Sequence, residues 1–130
     1  LFGTRKWVVF GGNAIGSFFC IALGLGLASG YLGAVILFAA VGFFVMSFPM
    51  IMAHARAFVP AHLMGRGVTL MNLFGIGGVG LMQMISGRMH ANLSIDATSA
   101  AGPYHAIFLF LGVLLLIGVV IYAFCEDRLD

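Results

Sequence analysis

The chain has 130 residues, of which 62% are hydrophobic and only 8% charged, with a formal net charge of +2. Its mean hydropathy is +1.15, and so few charged side chains cannot cover a soluble domain of this length, which makes the solvent a lipid bilayer. The small net charge, with no basic run interleaved with aromatics, gives no basis for nucleic-acid binding, and the two distant cysteines, Cys20 and Cys125, set up neither a disulfide framework nor metal-ligand spacing.

The chain begins LFGTRK, without an initiator Met and without the pattern of a cleavable signal peptide. From Trp7 to Ala53 no Asp, Glu, Lys, Arg or His occurs. That run is about twice the roughly 20 residues needed to cross the hydrocarbon core. It predicts two helices, about Trp7–Ala28 and about Leu32–Ala53, with the break where Ser29, Gly30 and Gly33 cluster. Along the first, Gly12, Gly16, Cys20 and Gly24 recur at every fourth position. Small residues at that spacing let another helix approach closely, and Asn13 and Ser17 on the adjoining face read as interhelical hydrogen-bond partners. Pro49 predicts a kink near the end of the second helix.

A basic connector follows, HARAFVPAHLMGRG, carrying His54, Arg56, His62 and Arg66, with Pro60 opening a short interfacial turn. The third helix, about Val68–Gly87, has no ionisable side chain yet holds Thr69, Asn72, Gln83 and Ser86. At a turn of roughly 100° per residue those four positions fall within an arc of about 100°. A polar stripe on an otherwise apolar helix suits lipid on one side and protein or a wet cavity on the other. Gly75, Gly77, Gly78 and Gly80 in the same helix are candidates for close packing or for a hinge at mid-depth. Arg88–Pro103 reads as a polar loop, and the fourth helix, about Tyr104–Cys125, is apolar all round. The fold class expected is all-α, a single membrane region of four spans over residues 1–130.

Four spans put the N-terminus, the basic connector and the C-terminus on one side, with Arg5, Lys6, Arg56, Arg66 and Arg128; the other side has only Arg88. By the positive-inside rule both termini and the connector are expected to be cytoplasmic. No zinc site can be placed, because His54 and His62 share one connector while His90 and His105 lie on the opposite side. The glycines of G-I-G-G-V-G have neither a preceding strand nor a Lys, so they form no phosphate-cradling loop. No Ser-His-Asp or Cys-His arrangement can be placed either, so no enzymatic chemistry, cofactor or metal is expected.

The start GTRK, the connector PAHLMGRG and the glycine-rich helix after it resemble the last third of a major facilitator superfamily transporter. In that family a cytoplasmic loop of pattern G-x-x-x-D-R-x-G-R-R precedes the ninth helix. Gly3, Arg5 and Lys6 resemble its tail, with Thr4 where Arg is usual. Pro60, Gly65, Arg66 and Gly67 resemble a Pro and Gly-Arg-Gly recurring before the eleventh helix. The resemblance covers essentially the whole chain as helices nine to twelve. It implies a twelve-helix protein in two six-helix halves, with a substrate at mid-depth between them and access alternating by rocking. It also implies that this chain is the C-terminal piece of a longer protein.

On that reading the protein is a secondary active transporter in a plasma or inner membrane. Its partners are the bilayer, a small-molecule substrate with or without a coupling proton or sodium ion, and the remaining N-terminal helices. The substrate-cavity candidates are Asn72 and Gln83, with Thr69 and Ser86 behind them, then Phe43, Met46 and Ser47 on the second helix. Asn72 and Gln83 lie roughly 16 Å apart along the helix axis, so they flank a mid-depth site and do not both line it. No span contains an Asp or Glu, the usual relay for a coupling ion. Two other classes compete: a small four-helix multidrug exporter acting as an oligomer, which needs an intramembrane carboxylate that no span supplies, and a non-transporting structural subunit packing through the Gly12–Gly24 stripe.

Overall fold

The computed structural model describes residues 5–95 and 97–126, without the side chain of Arg5. Among them every regular element is helical: α1 (Arg5–Gly24), α2 (Gly30–Val45), α3 (Phe48–Arg56), a 3-10 turn at Ala61–Leu63, α4 (Met64–Ser94) and α5 (Gly102–Ala123). With α2 and α3 as one broken span, four segments are long and apolar enough to cross a membrane. This is the architecture of an integral membrane protein.

α1 is the hub, and its small residues explain why. An added Cβ at Gly12 would lie 2.9 Å from the Phe44 carbonyl oxygen, and one at Gly16 would run into the Val45 side chain. Further along, Cys20 Sγ donates to the Phe108 carbonyl at 3.4 Å, and a Cβ at Gly24 would sit 2.5 Å from the Leu109 backbone nitrogen. The stripe is therefore divided: its first half receives the end of α2, its second half receives α5. Gly112 of α5 answers from the other side, packed against Ile21. Lipid tails are as apolar as leucine, so close backbone approach and its dispersion contacts hold such helices together. Polar groups add to it: Ser17, fully buried, donates to the Gly112 carbonyl at 2.8 Å.

The helix ends differ from those expected. α1 stops at Gly24, not near Ala28, because Gly26 takes a left-handed conformation (φ +69°). The amides of Gly26 and Leu27 then return to the carbonyls of Leu23 and Ala22 at 3.1 and 3.0 Å, the closing bonds of a Schellman motif. The second span is interrupted, not merely kinked. Proline lacks the N–H that would reach the carbonyl four residues back, Val45, and that carbonyl accepts from the Ser47 amide at 2.7 Å instead. The break falls at Met46–Ser47, and Pro49 sits in the first turn of α3, where a missing N–H costs nothing.

The largest difference is in α4. Residues 88–94, expected as loop, continue the helix, which has 31 residues and reaches about 46 Å. Polarity excludes these residues from hydrocarbon but does not break a helix. Ser94 Oγ donates to the His90 carbonyl at 2.7 Å, and the His90 ring lies 4.8 Å from that of Tyr104. Arg66 and Arg88 are separated along α4 by roughly 33 Å, close to the ~30 Å of a hydrocarbon core. The spanning part is thus the stretch between the arginines, and the helix outruns it at both ends.

Candidate functional site

The cavity candidates of α4 lie along a helix with no buried residue. Thr69, Asn72 and Gln83 are exposed and Ser86 is half-buried. Thr69 Oγ1 donates to the Gly65 carbonyl at 2.9 Å and Ser86 Oγ to the Gln83 carbonyl at 3.2 Å, so both hydroxyls are returned to their own helix. The carboxamides of Asn72 and Gln83 reach no other helix among the described residues. A row of neutral donors and acceptors of this kind can hydrogen-bond a polar solute or another helix, and it contains no carboxylate, the usual proton relay.

α4 touches the rest of the molecule at a few points. Gly67 meets the Val59 side chain, Gly75 meets the Phe48 ring at 3.3 Å from its Cβ position, and the end of the helix meets α5 through His90. Gly77, Gly78 and Gly80 face open space, and the helix is unbroken through all four glycines. On α2, Phe43 is exposed, with its ring edge-on to Phe44, and Met46 at the break is exposed too. Ser47 is different. It is buried, and its Oγ accepts from Asn13 Nδ2 at 2.7 Å. The same nitrogen donates to the Val9 carbonyl at 2.8 Å, so Asn13 ties α1 to the α2–α3 break.

Of the residues that resemble the family's loop motifs, Gly3 lies outside the described residues, as does Arg128 of the basic side. Arg5 opens α1, Pro60 precedes the 3-10 turn, and Gly65, Arg66 and Gly67 form the first turn of α4.

Sequence reasoning missed a polar cluster where α1 begins and α3 and α5 end. Lys6, almost buried, donates through Nζ to the carbonyls of Ala123 and Cys125 at 2.8 and 2.5 Å. A cation on the last carbonyls of a helix compensates both their lost partners and the negative end of its dipole. Beside it His54, 2% exposed, has Nε2 3.0 Å from the Glu126 carbonyl and Nδ1 2.6 Å from the Tyr122 hydroxyl. A carbonyl only accepts, so Nε2 carries the proton, and in the neutral ring Nδ1 accepts from Tyr122. These bonds bring the start of the first span to the ends of the second and fourth, as an even number of crossings requires. The available signal was sidedness: Lys6, His54 and Glu126 flank spans on the same side of the four-span topology.

Among the described residues no group of three His, Cys, Asp or Glu could hold a metal ion. Comparison with protein-family models, with curated proteins and with solved structures gave no match.

Proposed function

We propose that this chain is the C-terminal part of a secondary active transporter of the major facilitator type, moving a small solute by alternating access, with the stripe of α4 bordering the solute path. The observation that carries this reading is the contrast between α1 and α4. Asn13 and Ser17 of α1 are buried with partners on other segments, at the α2–α3 break and on α5, whereas Asn72 and Gln83 have none among the described residues. Polar side chains on a spanning helix face protein or water, not lipid. In the major facilitator resemblance α4 would be the eleventh helix, which borders the cavity, and α1 and α5 would be the ninth and twelfth, which pack outside it. The basic residues on one side of the topology agree with that placement.

Two measurements test it. The intact mass of the polypeptide, captured from its native membrane with an antibody against the terminal EDRLD, should be about three times 13.7 kDa, as about twelve helices require. A mass matching 130 residues alone overturns the reading in favour of a small oligomeric membrane protein. In the full protein, Asn72→Ala and Gln83→Ala should each lower solute uptake at unchanged membrane abundance. Unchanged uptake in both removes the stripe from the solute path.

A further inference from the structure

Between α1, α3 and α5 lies a crevice of about 180 Å³, walled by Phe10, Ile51, Leu115 and Val119. It shares no residue with the α4 stripe, so binding there is independent of the transport reading. Asn13 lines it. The Asn13 amide is oriented unambiguously, because the atom facing the Val9 carbonyl must be a donor. Both Nδ2 hydrogens are then engaged, one by Val9 and one by Ser47. Oδ1 has no hydrogen-bond partner among the described residues. Nor is it sealed in, since no buried side-chain oxygen or nitrogen among the described residues lacks a partner. With the side chain only 7% exposed, the space left to Oδ1 is the crevice that Asn13 lines. An acceptor turned toward hydrocarbon is costly until something donates to it.

The geometry points to a binding site for one small amphiphile in this crevice, a phenol-sized molecule with an apolar body against α3 and α5 and a single hydroxyl donating to Asn13 Oδ1. Size and chemistry both limit the occupant. An apolar cavity of about 150 Å³ admits benzene, so the crevice takes a single ring with a short substituent. No charged side chain lines the crevice, and its other polar side chain, Tyr122, has its hydroxyl bonded to His54. A purely apolar molecule of the same shape fills the space but leaves Oδ1 unpaired.

The test is fluorine NMR of 4-fluorophenol, with fluorobenzene as its counterpart lacking the hydroxyl, added to the full chain in lipid nanodiscs and referenced to empty nanodiscs. The expected result is saturable binding of 4-fluorophenol to one site, with fluorobenzene at least about tenfold weaker for want of one hydrogen bond. Gly118 also lines the crevice, and a Cβ there meets nothing within 4 Å. Gly118→Leu should therefore fill the space and abolish saturable binding at unchanged helix content. If that variant loses helix content, Gly118→Ala decides, with an expected loss of severalfold in affinity. The inference is overturned by binding no greater than in empty nanodiscs, by equal binding of the two probes, or by wild-type affinity in folded Gly118 variants.

Discussion

α1 and α4 are both glycine-rich spanning helices, and they illustrate two conditions of a membrane helix. In α1 the small residues are in use: Gly12 and Gly16 lie under α2, and Gly24 lies under α5. In α4 Gly77, Gly78 and Gly80 have open space where a Cβ would stand. The same holds for polar groups, which on α1 reach other segments and on α4 turn back on their own backbone or reach nothing among the described residues. Glycine content and a polar stripe thus say that a helix is suited to close packing. They do not say whether the partner lies within the same stretch of chain.

The sharpest way to break this contrast is to add bulk to each helix. Gly24→Leu should destabilise the bundle by about 3 kcal/mol or more, because the obstacle is the backbone of Leu109 and cannot swing aside. Thermal unfolding in detergent, followed by far-ultraviolet dichroism, measures it. A midpoint within a degree of wild type would mean that α1 and α5 do not cross at Gly24. Next in size is the polar cluster. His54→Phe and Tyr122→Phe should each cost about 1–2 kcal/mol, since each removes the bond between the two side chains and Tyr122→Phe leaves Nδ1 of the buried His54 without its donor. The double variant should cost less than the sum of the two, and strict additivity would show that the two side chains do not pair. Lys6→Met should cost about 1 kcal/mol by uncapping α5, with little change on adding salt because the ammonium is nearly buried. Smallest of all, Gly77→Leu and Asn72→Ala should move stability by less than about 0.5 kcal/mol in the isolated chain. A large loss at either position would place a partner for α4 within these 130 residues.

The number of spans was legible because it follows from where charge is absent, and the helices fall where those runs fall. Their ends were not legible from composition, because ends are set by single residues. Gly26 closes α1 within a stretch that hydropathy alone would continue. Pro49 acts four residues upstream, at the carbonyl it fails to bond. Residues 88–94 stay helical because water tolerates a helix as well as a loop. Asn13 and Ser17 could be read as interhelical partners from their place beside the small-residue stripe, but Ser47 as a partner of Asn13 could not, since nothing in a sequence aligns two helices in register. The cluster of Lys6, His54 and Tyr122 is likewise a product of tertiary meeting, and one of its bonds, Lys6 to the Cys125 carbonyl, joins residues 119 positions apart.

The unbroken length of α4 has a mechanical meaning. Hydrogen-bonded from Met64 to Ser94, it is a stiff rod that extends past both surfaces of the hydrocarbon layer. Its contact with Phe48 falls at Gly75, in the middle third, like a fulcrum. Tilting such a rod by about 10° about Gly75 would carry its first residue roughly 3 Å and its last roughly 5 Å in opposite directions. A tilt of that kind would move both ends of the helix at once without any side chain changing rotamer along the way.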